Sequence, residues 1–405
     1  MKSSSCVSGI SGSVTQKEPI GTGMAVLFCQ PTMNDSGSEN SLSEIVEGLR
    51  QQAPGLTIRV LAGAAGPMSA RIGRHAAVNI VSAPKLRRRL ASVLPHLRSY
   101  ARVYKAIRWF RTENKGSLVV YANSLMFPQA VIGAWLNRVP LVVHVREVGT
   151  TYPKVVYLAY FGLAAVAAHQ MVGVCAYIFR QKVAALVQRA TRIQYEVIHN
   201  GAECDTKPTR RALDGRKRIL AVIPLTERKG ALDLMEFVVE LKTNNPCMSF
   251  LLDIVGRIED MNLYARCRRL LEQNGCGDLV RFHGGQSRVV IDEYYAKAHI
   301  FVHPSHTEAF PRVLVEAMNH SLPCVTTNAG GSAEAVQEGV TGYIVGVGDY
   351  QAMADRAGRL LTDPEIYAAF STNAHKRYRT LFTRQAMAGR VLRVIDCVSA
   401  RQAGQ

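Results

Sequence analysis

Short apolar runs of three to six residues recur along the first half of the chain, separated by stretches with helical periodicity. Glycine, proline or polar residues bound the runs, and each run predicts a buried parallel strand. The runs lie at residues 24–29, 118–121, 141–145, 171–174 and 196–198. Helical patterns fall between them, for example at residues 42–49 and 130–136. This alternation predicts an α/β domain with a doubly wound parallel sheet.

The same alternation restarts after a polar, basic stretch at residues 207–217, which predicts a linker. The second set of apolar runs lies at residues 218–223, 250–255, 280–282, 300–302 and 323–326. We therefore predict two Rossmann-like domains facing a cleft, with ligands at the C-terminal ends of the strands. The predicted boundaries are residues 23–205 and 206–375, followed by a basic helical tail at 376–405.

Two segments bear on targeting. Residues 1–22 are rich in serine and glycine and lack a basic region followed by an apolar block, so we predict a disordered leader without a secretory signal. The longest apolar run, residues 155–179, would be long enough to span a membrane. It is interrupted by His169 and Gln170 and then changes character. A buried helix followed by a strand is the favoured interpretation.

Composition narrows the class of protein. The chain has 405 residues, of which 48% are apolar and 20% charged, as in ordinary globular proteins of two domains. None of the nine cysteines forms a CxxC pair, so neither a disulfide framework nor a zinc site is predicted. A reducing cytoplasm is the expected compartment.

Positive charge is concentrated in the first domain. The net charge is +18, and no acidic residue lies between Glu47 and Glu113. Basic residues alternate with apolar and aromatic ones over residues 71–111, which favours contact with an anionic membrane surface. A solvated helix face is the main alternative. Nucleic acid is not expected, because no nucleic-acid-binding module is visible. The predicted location is therefore peripheral, on the inner face of the cytoplasmic membrane.

Two glutamates stand eight positions apart, Glu308 and Glu316, where a loop turns into an apolar helix. Pro311 is predicted at the first helical position, and the free amides of a helix start can hold a phosphate. Eight residues of helix span roughly 12 Å, about the length of a diphosphate joining two sugars. This stretch resembles the Glu-x7-Glu motif of the retaining GT-B glycosyltransferases of family 4. The resemblance covers residues 24–395 and is strongest from 218 to 346.

The resemblance implies transfer of a sugar from a nucleotide-diphosphate sugar to a glycan or lipid-linked acceptor, with retention at the anomeric carbon. It also implies that the first domain binds the acceptor, that the second binds the donor, and that the C-terminal helix packs back on the first domain. The chain contains no Asp-x-Asp pair, so we expect basic side chains and helix dipoles, rather than a metal cofactor, to stabilise the leaving diphosphate.

Residues 223–230 resemble the family's Lys-Gly turn, in which the lysine contacts the donor diphosphate, so Lys229 takes that role. Relatives often carry an arginine five positions earlier, where this chain has Pro224. Either Arg228 supplies the missing charge or the donor lies differently.

The motif itself implies further donor contacts. Glu308 would hydrogen-bond the donor sugar and Glu316 the ribose hydroxyls. The amides that would face sugar hydroxyls and phosphate belong to Ala309, Phe310, Arg312 and Val313.

Weaker features place further residues at the cleft. The loop at 31–39 resembles the family's glycine-rich loop, with Gly37 at the donor and Ser38 at the acceptor. His144 ends a strand and would contact the transferring sugar, which makes it the third catalytic candidate beside Glu308 and Lys229. Arg146 or Glu147 would contact the acceptor, and Arg257 the nucleotide base. For each, an ordinary structural role is the alternative.

Other functions of the same chain remain open at this point. A sugar-nucleotide epimerase or hydrolase could use the same fold. A nucleotide-sugar-binding protein without catalysis, or a basic membrane adaptor, would also fit parts of the pattern.

Overall fold

The computed structural model describes residues 23–403 except 84–92, 115–116, 150–151, 182–186, 188–190, 192 and 204–210. The first domain is built on a seven-stranded parallel sheet of order β3-β2-β1-β4-β5-β6-β7. Its strands are β1 Ala25–Gln30, β2 Thr57–Ala62, β3 Ala77–Ile80, β4 Leu118–Ala122, β5 Leu141–Val145, β6 Gln170–Gly173 and β7 Tyr195–Val197.

Helices cover both faces of this sheet. They are α1 Gly37–Gln52, α2 Met68–Gly73, α3 Val93–Glu113, α4 Pro128–Leu136, α5 Lys154–Ala167 and α6 Tyr177–Arg180. In α1 the buried residues Leu42, Ile45, Val46 and Leu49 follow the predicted helical spacing. The long apolar run forms α5 and then β6, which is the predicted order of elements. The helix is not fully buried as predicted, because Val155, Leu158 and Val166 are 79%, 45% and 72% exposed. Across the described residues, no helix combines the length and apolarity that crossing a bilayer requires.

The second domain contains a six-stranded parallel sheet of order β10-β9-β8-β11-β12-β13. Its strands are β8 Lys217–Val222, β9 Phe250–Val255, β10 Val280–Phe282, β11 Ile300–His303, β12 Cys324–Thr327 and β13 Gly342–Val345. Its helices are α7 Ala231–Asn244, α8 Met261–Gln273, α9 Arg288–Lys297, α10 Arg312–Asn319, α11 Ser332–Ala335, α12 Tyr350–Thr362 and α13 Pro364–Leu381.

The last helix, α14 Arg384–Ala403, returns to the first domain and packs on α1. The contact is close, because a Cβ added at Gly48 would lie 2.5 Å from the Cβ of Ala388. Arg384 forms ion pairs with Glu44 at 2.6 Å and with Glu47 at 2.8 Å. The predicted architecture of two Rossmann-like domains with a returning C-terminal helix is therefore confirmed.

Some sequence-based predictions fall outside the described residues. The predicted leader, the 205/206 boundary and residues 84–92 of the basic stretch 71–111 lie there, so they stay predictions. One helix start differs from expectation by a residue. Pro311 has an extended backbone with ψ of 110° and occupies the N-cap of α10, so the helix begins at Arg312.

Candidate active site

The turn after β8 brings Lys229 to Glu308. Residues Glu227–Lys229 form a single 3-10 turn, and Gly230 follows with φ of 71° as the N-cap of α7. A Cβ at Gly230 would lie 2.1 Å from the carbonyl oxygen of Pro304, so only glycine lets this turn pack on the loop after β11. The Lys229 ammonium thereby forms an ion pair with Glu308, and both side chains are largely buried.

His303 is the second partner of Glu308 and was not predicted from the sequence. It ends β11, is 1% exposed, and its Nε2 lies 3.1 Å from Glu308 Oε1. Burial lowers the pKa of His303, so the neutral ring donates from Nε2. Burial alone would raise the pKa of Glu308, but the His303 hydrogen bond and the Lys229 charge hold it well below its usual range. Glu308 is therefore a fixed carboxylate at neutral pH.

Glu316 lies on the buried side of α10. Its Oε1 is 2.5 Å from Nη1 of Arg288, and its Oε2 accepts a hydrogen bond from the Tyr295 hydroxyl at 3.3 Å. Arg312, one turn earlier on the same helix, lies 3.8 Å from the carboxylate. Arg288 could not have been found from local spacing, because it belongs to a different helix.

Arg312 also joins the two domains. Its guanidinium donates to Ser41 Oγ at 3.4 Å and lies 3.9 Å from Glu44, both on α1. The start of α10 is therefore held against α1. The loop before α1 and the loop before α10, both predicted to bind ligand, lie on opposite sides of this contact between the domains.

The first-domain wall is built at the ends of β4 and β5. Arg146 donates to Asn123 Oδ1 at 2.9 Å and to Asn200 Oδ1 at 2.7 Å. The Glu147 carboxylate accepts from the Ser124 hydroxyl and from the backbone amides of Leu125 and Arg146 at 3.1 and 3.0 Å. Burial nevertheless raises the pKa of Glu147.

His144 lies beneath this wall and is fully buried. Its Nδ1 is 2.9 Å from the Tyr121 hydroxyl and 3.3 Å from Arg146 Nη2. Since a guanidinium only donates, Nδ1 accepts and the ring proton lies on Nε2. That Nε2 has no hydrogen-bond partner within the part of the chain that the structure describes. Burial and the Arg146 charge place the pKa of His144 well below its ordinary value, so the ring is neutral.

The loop after β1 is organised by Glu39, a residue that sequence reasoning missed. Its buried carboxylate accepts from the hydroxyls of Thr32 and Ser38, each at 2.6 Å, and from that of Ser36. A Cβ at Gly37 would meet no atom within 4 Å, so this residue borders open space. A glutamate in the first turn of α1 next to three hydroxyl residues was the available signal.

A cavity of about 390 Å³ separates these walls. From the first domain, the predicted residues that line it are Gly37, Ser38, Arg146 and Glu147. From the second domain they are Arg228, Glu308, Ala309 and Phe310. The structure thus brings eight of the predicted site residues to one interdomain cavity.

Comparison with known proteins agrees with this arrangement. Residues 205–377 match the family described as glycosyl transferases group 1. Capsular polysaccharide biosynthesis glycosyltransferase CapM of Staphylococcus aureus is 35% identical over 92 residues, 23% of this chain and 24% of that protein. N-acetyl-alpha-D-glucosaminyl L-malate synthase of Bacillus anthracis is 38% identical over 99 residues, 24% of this chain and 26% of that protein. The chain therefore spans about a quarter of the length of these relatives.

Solved structures extend the likeness to the whole fold. Anabaena HepE in complex with UDP and glucose matches with a TM-score of 0.73 and 19% identity, over 92% of this chain and 100% of that chain. The chain has the GT-B fold. In this GT-B fold the cavity lies between the two sheets' C-terminal edges, where the sequence placed it.

The other predicted residues of the GT-B site are not among those that line the cavity. Lys229 contacts the lining residue Glu308, and His144 contacts the lining residue Arg146. The Tyr295 hydroxyl lies 3.3 Å from both the carbonyl oxygen of Val313 and the carboxylate of Glu316. Arg257 follows β9 beside Gly285. Their predicted roles stay predictions. No group of three metal-ligating side chains occurs among the described residues, and independence of a metal also stays a prediction.

Proposed function

We propose that the protein is a retaining glycosyltransferase of family 4, with residues 308–316 acting as the Glu-x7-Glu motif. It would transfer a sugar from a nucleotide-diphosphate sugar to a glycan or lipid-linked acceptor in polysaccharide or surface-glycan synthesis. The observation that carries the proposal is the interdomain cavity, where the Glu308 carboxylate and Arg228 face Arg146 and Glu147 of the other domain.

The charges around the cavity suit this chemistry. Departure of a nucleoside diphosphate leaves negative charge on the phosphates and positive charge on the sugar ring. In this proposal Arg228, Lys229 and the N-terminus of α10 would stabilise the former, and the ionised Glu308 the latter. These groups would do so without a divalent ion. CapM is named for capsular polysaccharide synthesis and HepE was crystallised with UDP and glucose, which is consistent with such a donor and product.

Binding and turnover of the donor test the proposal. UDP, GDP or ADP at a hundred times its dissociation constant should stabilise the full chain by about 2.7 kcal/mol in a thermal-shift assay. Stabilisation and transfer are expected to be unchanged in EDTA. Nucleotide-sugar consumption should depend on an added glycan or lipid-linked acceptor and yield an α-configured product from an α-configured donor.

Three results would contradict it. The first is a lack of response to every nucleoside diphosphate. The second is release of free or epimerised sugar alone, which would indicate a hydrolase or epimerase. The third is strict dependence of turnover on Mg²⁺ or Mn²⁺.

We also propose that α3 contacts an anionic membrane, as the charge of residues 71–111 predicts. The exposed side of α3 carries Arg98, Arg102, Lys105 and Arg108. Leu94 and Leu97 at its start are 55% and 58% exposed. Basic residues beside exposed apolar ones are typical of helices that lie on anionic bilayers.

Vesicle flotation measures this contact. We expect the full chain to float with phosphatidylglycerol-containing vesicles but not with phosphatidylcholine vesicles. The double variant Leu94→Glu/Leu97→Glu should bind about tenfold more weakly or worse. Met261→Glu is the control, because Met261 is an apolar residue of the second domain that is 66% exposed, somewhat more than Leu94 and Leu97. Equal binding of both variants, or equal binding to both vesicle types, would refute membrane contact through α3.

A further inference from the structure

Arg146 is a buried cation without a bonded counter-ion. It is 9% exposed, and the printed partners of its guanidinium are the neutral groups Asn123 Oδ1, Asn200 Oδ1 and His144 Nδ1, at 2.9, 2.7 and 3.3 Å. No carboxylate oxygen from the described residues lies within the 4.0 Å of a salt bridge. The same guanidinium lines the interdomain cavity.

Three other cations, whose side chains are 11–15% exposed, do have carboxylate partners. Lys229 pairs with Glu308, Arg312 lies beside Glu316, and Arg384 pairs with Glu44. An isolated charge is costly to bury, so a buried guanidinium is normally paired. Burial lowers the pKa of Arg146 to about 10, although Tyr121 and Glu147 favour the cation. The group therefore stays charged at neutral pH.

The two carboxylates that line the cavity already have hydrogen-bond or ion-pair partners other than the Arg146 guanidinium. Glu308 is bound by Lys229 and His303. Glu147 accepts from a hydroxyl and two backbone amides, one of which is the amide of Arg146 rather than its guanidinium. The cavity therefore has positive charge that its own carboxylates do not pair.

A second such cation faces Arg146 from the other domain. Arg228 lines the same cavity, is exposed, and donates to the carbonyl oxygen of Thr307 at 3.2 Å. Within the described chain it too has no carboxylate at salt-bridge distance. Two guanidinium groups on opposite walls suit a ligand with two or more negative charges and several acceptor oxygens, which is the chemistry of a phosphate.

The orientation of Arg146 is fixed by its neutral partners. Asn123 donates to Gln30 Oε1 at 2.8 Å and to the carbonyl oxygen of Ser38 at 3.2 Å. Asn200 accepts from Ser41 and donates to the carbonyl oxygen of Phe310 at 3.4 Å. Through these two asparagines the guanidinium is held to both the loop after β1 and the start of α10. A ligand would therefore bind an Arg146 side chain that is already ordered, at little cost in conformational entropy.

We infer that Arg146 is a phosphate-binding residue, which together with Arg228 holds the anionic group of the ligand in the interdomain cavity. This rests on the proposed function and deepens it. The phosphate belongs either to the donor diphosphate or to a phosphorylated acceptor, since both present the same oxygens.

Titration calorimetry with matched ligands tests the inference. Whichever of UDP, GDP and ADP binds the wild type is compared with its nucleoside, which lacks the phosphates. Arg146→Gln should raise the Kd of the diphosphate on the order of 10- to 100-fold, the loss of a charge-assisted hydrogen bond, and leave the nucleoside unchanged. The Kd of Arg146→Lys should lie between those of the wild type and Arg146→Gln, because lysine keeps the charge but loses the planar guanidinium that donates two parallel hydrogen bonds.

The control is Arg50→Gln. Arg50 is a half-buried arginine of the same domain that donates to the carbonyl oxygens of His75 and Leu56, away from the cavity. The Arg50→Gln variant should bind all ligands with the affinity of the wild type. Its thermal midpoint also shows what losing a half-buried first-domain arginine costs in stability.

The source of the phosphate follows from a second titration. With the nucleoside diphosphate saturating, farnesyl diphosphate is titrated as a phosphorylated acceptor probe. A loss confined to this probe in Arg146→Gln assigns the residue to an acceptor phosphate, and a loss confined to the nucleotide assigns it to the donor. Unchanged affinity for both, or equal losses for diphosphate and nucleoside, would overturn the inference. If no nucleotide binds the wild type, the proposed function fails, and inorganic pyrophosphate then tests Arg146 alone.

Discussion

Glu308→Gln is expected to lower kcat/KM for sugar transfer on the order of 100-fold or more, because in the proposed reaction the variant loses a preorganised negative charge beside the sugar. The side chain keeps its shape but no longer balances Lys229, which is 15% exposed. Breaking a buried pair by removing one partner typically costs about 3–5 kcal/mol. A lower thermal midpoint should therefore accompany the lost activity.

A double variant separates these two effects. In Glu308→Gln/Lys229→Met the unpaired ammonium is gone, so stability should return in part while transfer stays lost. Steady-state kinetics and thermal unfolding are measured on the same preparations. Glu293→Gln is the control, since Glu293 forms only an exposed pair with Lys297 and should change neither quantity by much. Activity of Glu308→Gln within fivefold of the wild type would show that this carboxylate is not part of the chemistry.

The fold could be predicted because its signals are local. A run such as residues 24–29 has no polar position and is bounded by Gly23 and Pro31, which is typical of a short strand buried on both faces. The structure places β1 at Ala25–Gln30, one residue from the prediction. In the same way α1 buries Leu42 and Leu49 at the predicted helical spacing. Regular alternation of these elements leaves few topologies other than a doubly wound sheet.

The site could be predicted only in part, because its pairings are not local. Spacing along one segment identified Glu308, and a strand-to-helix turn identified Lys229. The partner His303 stands in the same stretch, yet nothing in its spacing reveals the contact at 3.1 Å. Arg288 donates to Glu316 from another helix, and the Glu39 carboxylate accepts hydrogen bonds from three hydroxyls of the neighbouring loop and helix start. Such contacts follow from chain packing and have no periodic signature.

Gly330→Ala is expected to destabilise the protein by about 3 kcal/mol and to reduce transfer as well. Gly330 has φ of 54°, a conformation that costs an alanine roughly 1–2 kcal/mol. Its added Cβ would also lie 1.8 Å from the carbonyl oxygen of Glu308, and forced overpacking typically costs about 1–3 kcal/mol more. The neighbouring amide of Gly331 donates to the carbonyl oxygen of Ala309 at 3.0 Å, so a displacement of this turn also moves the backbone that carries Glu308.

Gly339→Ala isolates the conformational part of that cost. Gly339 has φ of 69°, but its Cβ would meet no atom within 4 Å. Denaturant unfolding should therefore show a loss of about 1 kcal/mol for Gly339→Ala, with kcat/KM unchanged. The difference between the two variants measures the contact between Gly330 and the Glu308 backbone. If both unfold at the same midpoint and both remain active, that close approach does not hold the Glu308 segment in place.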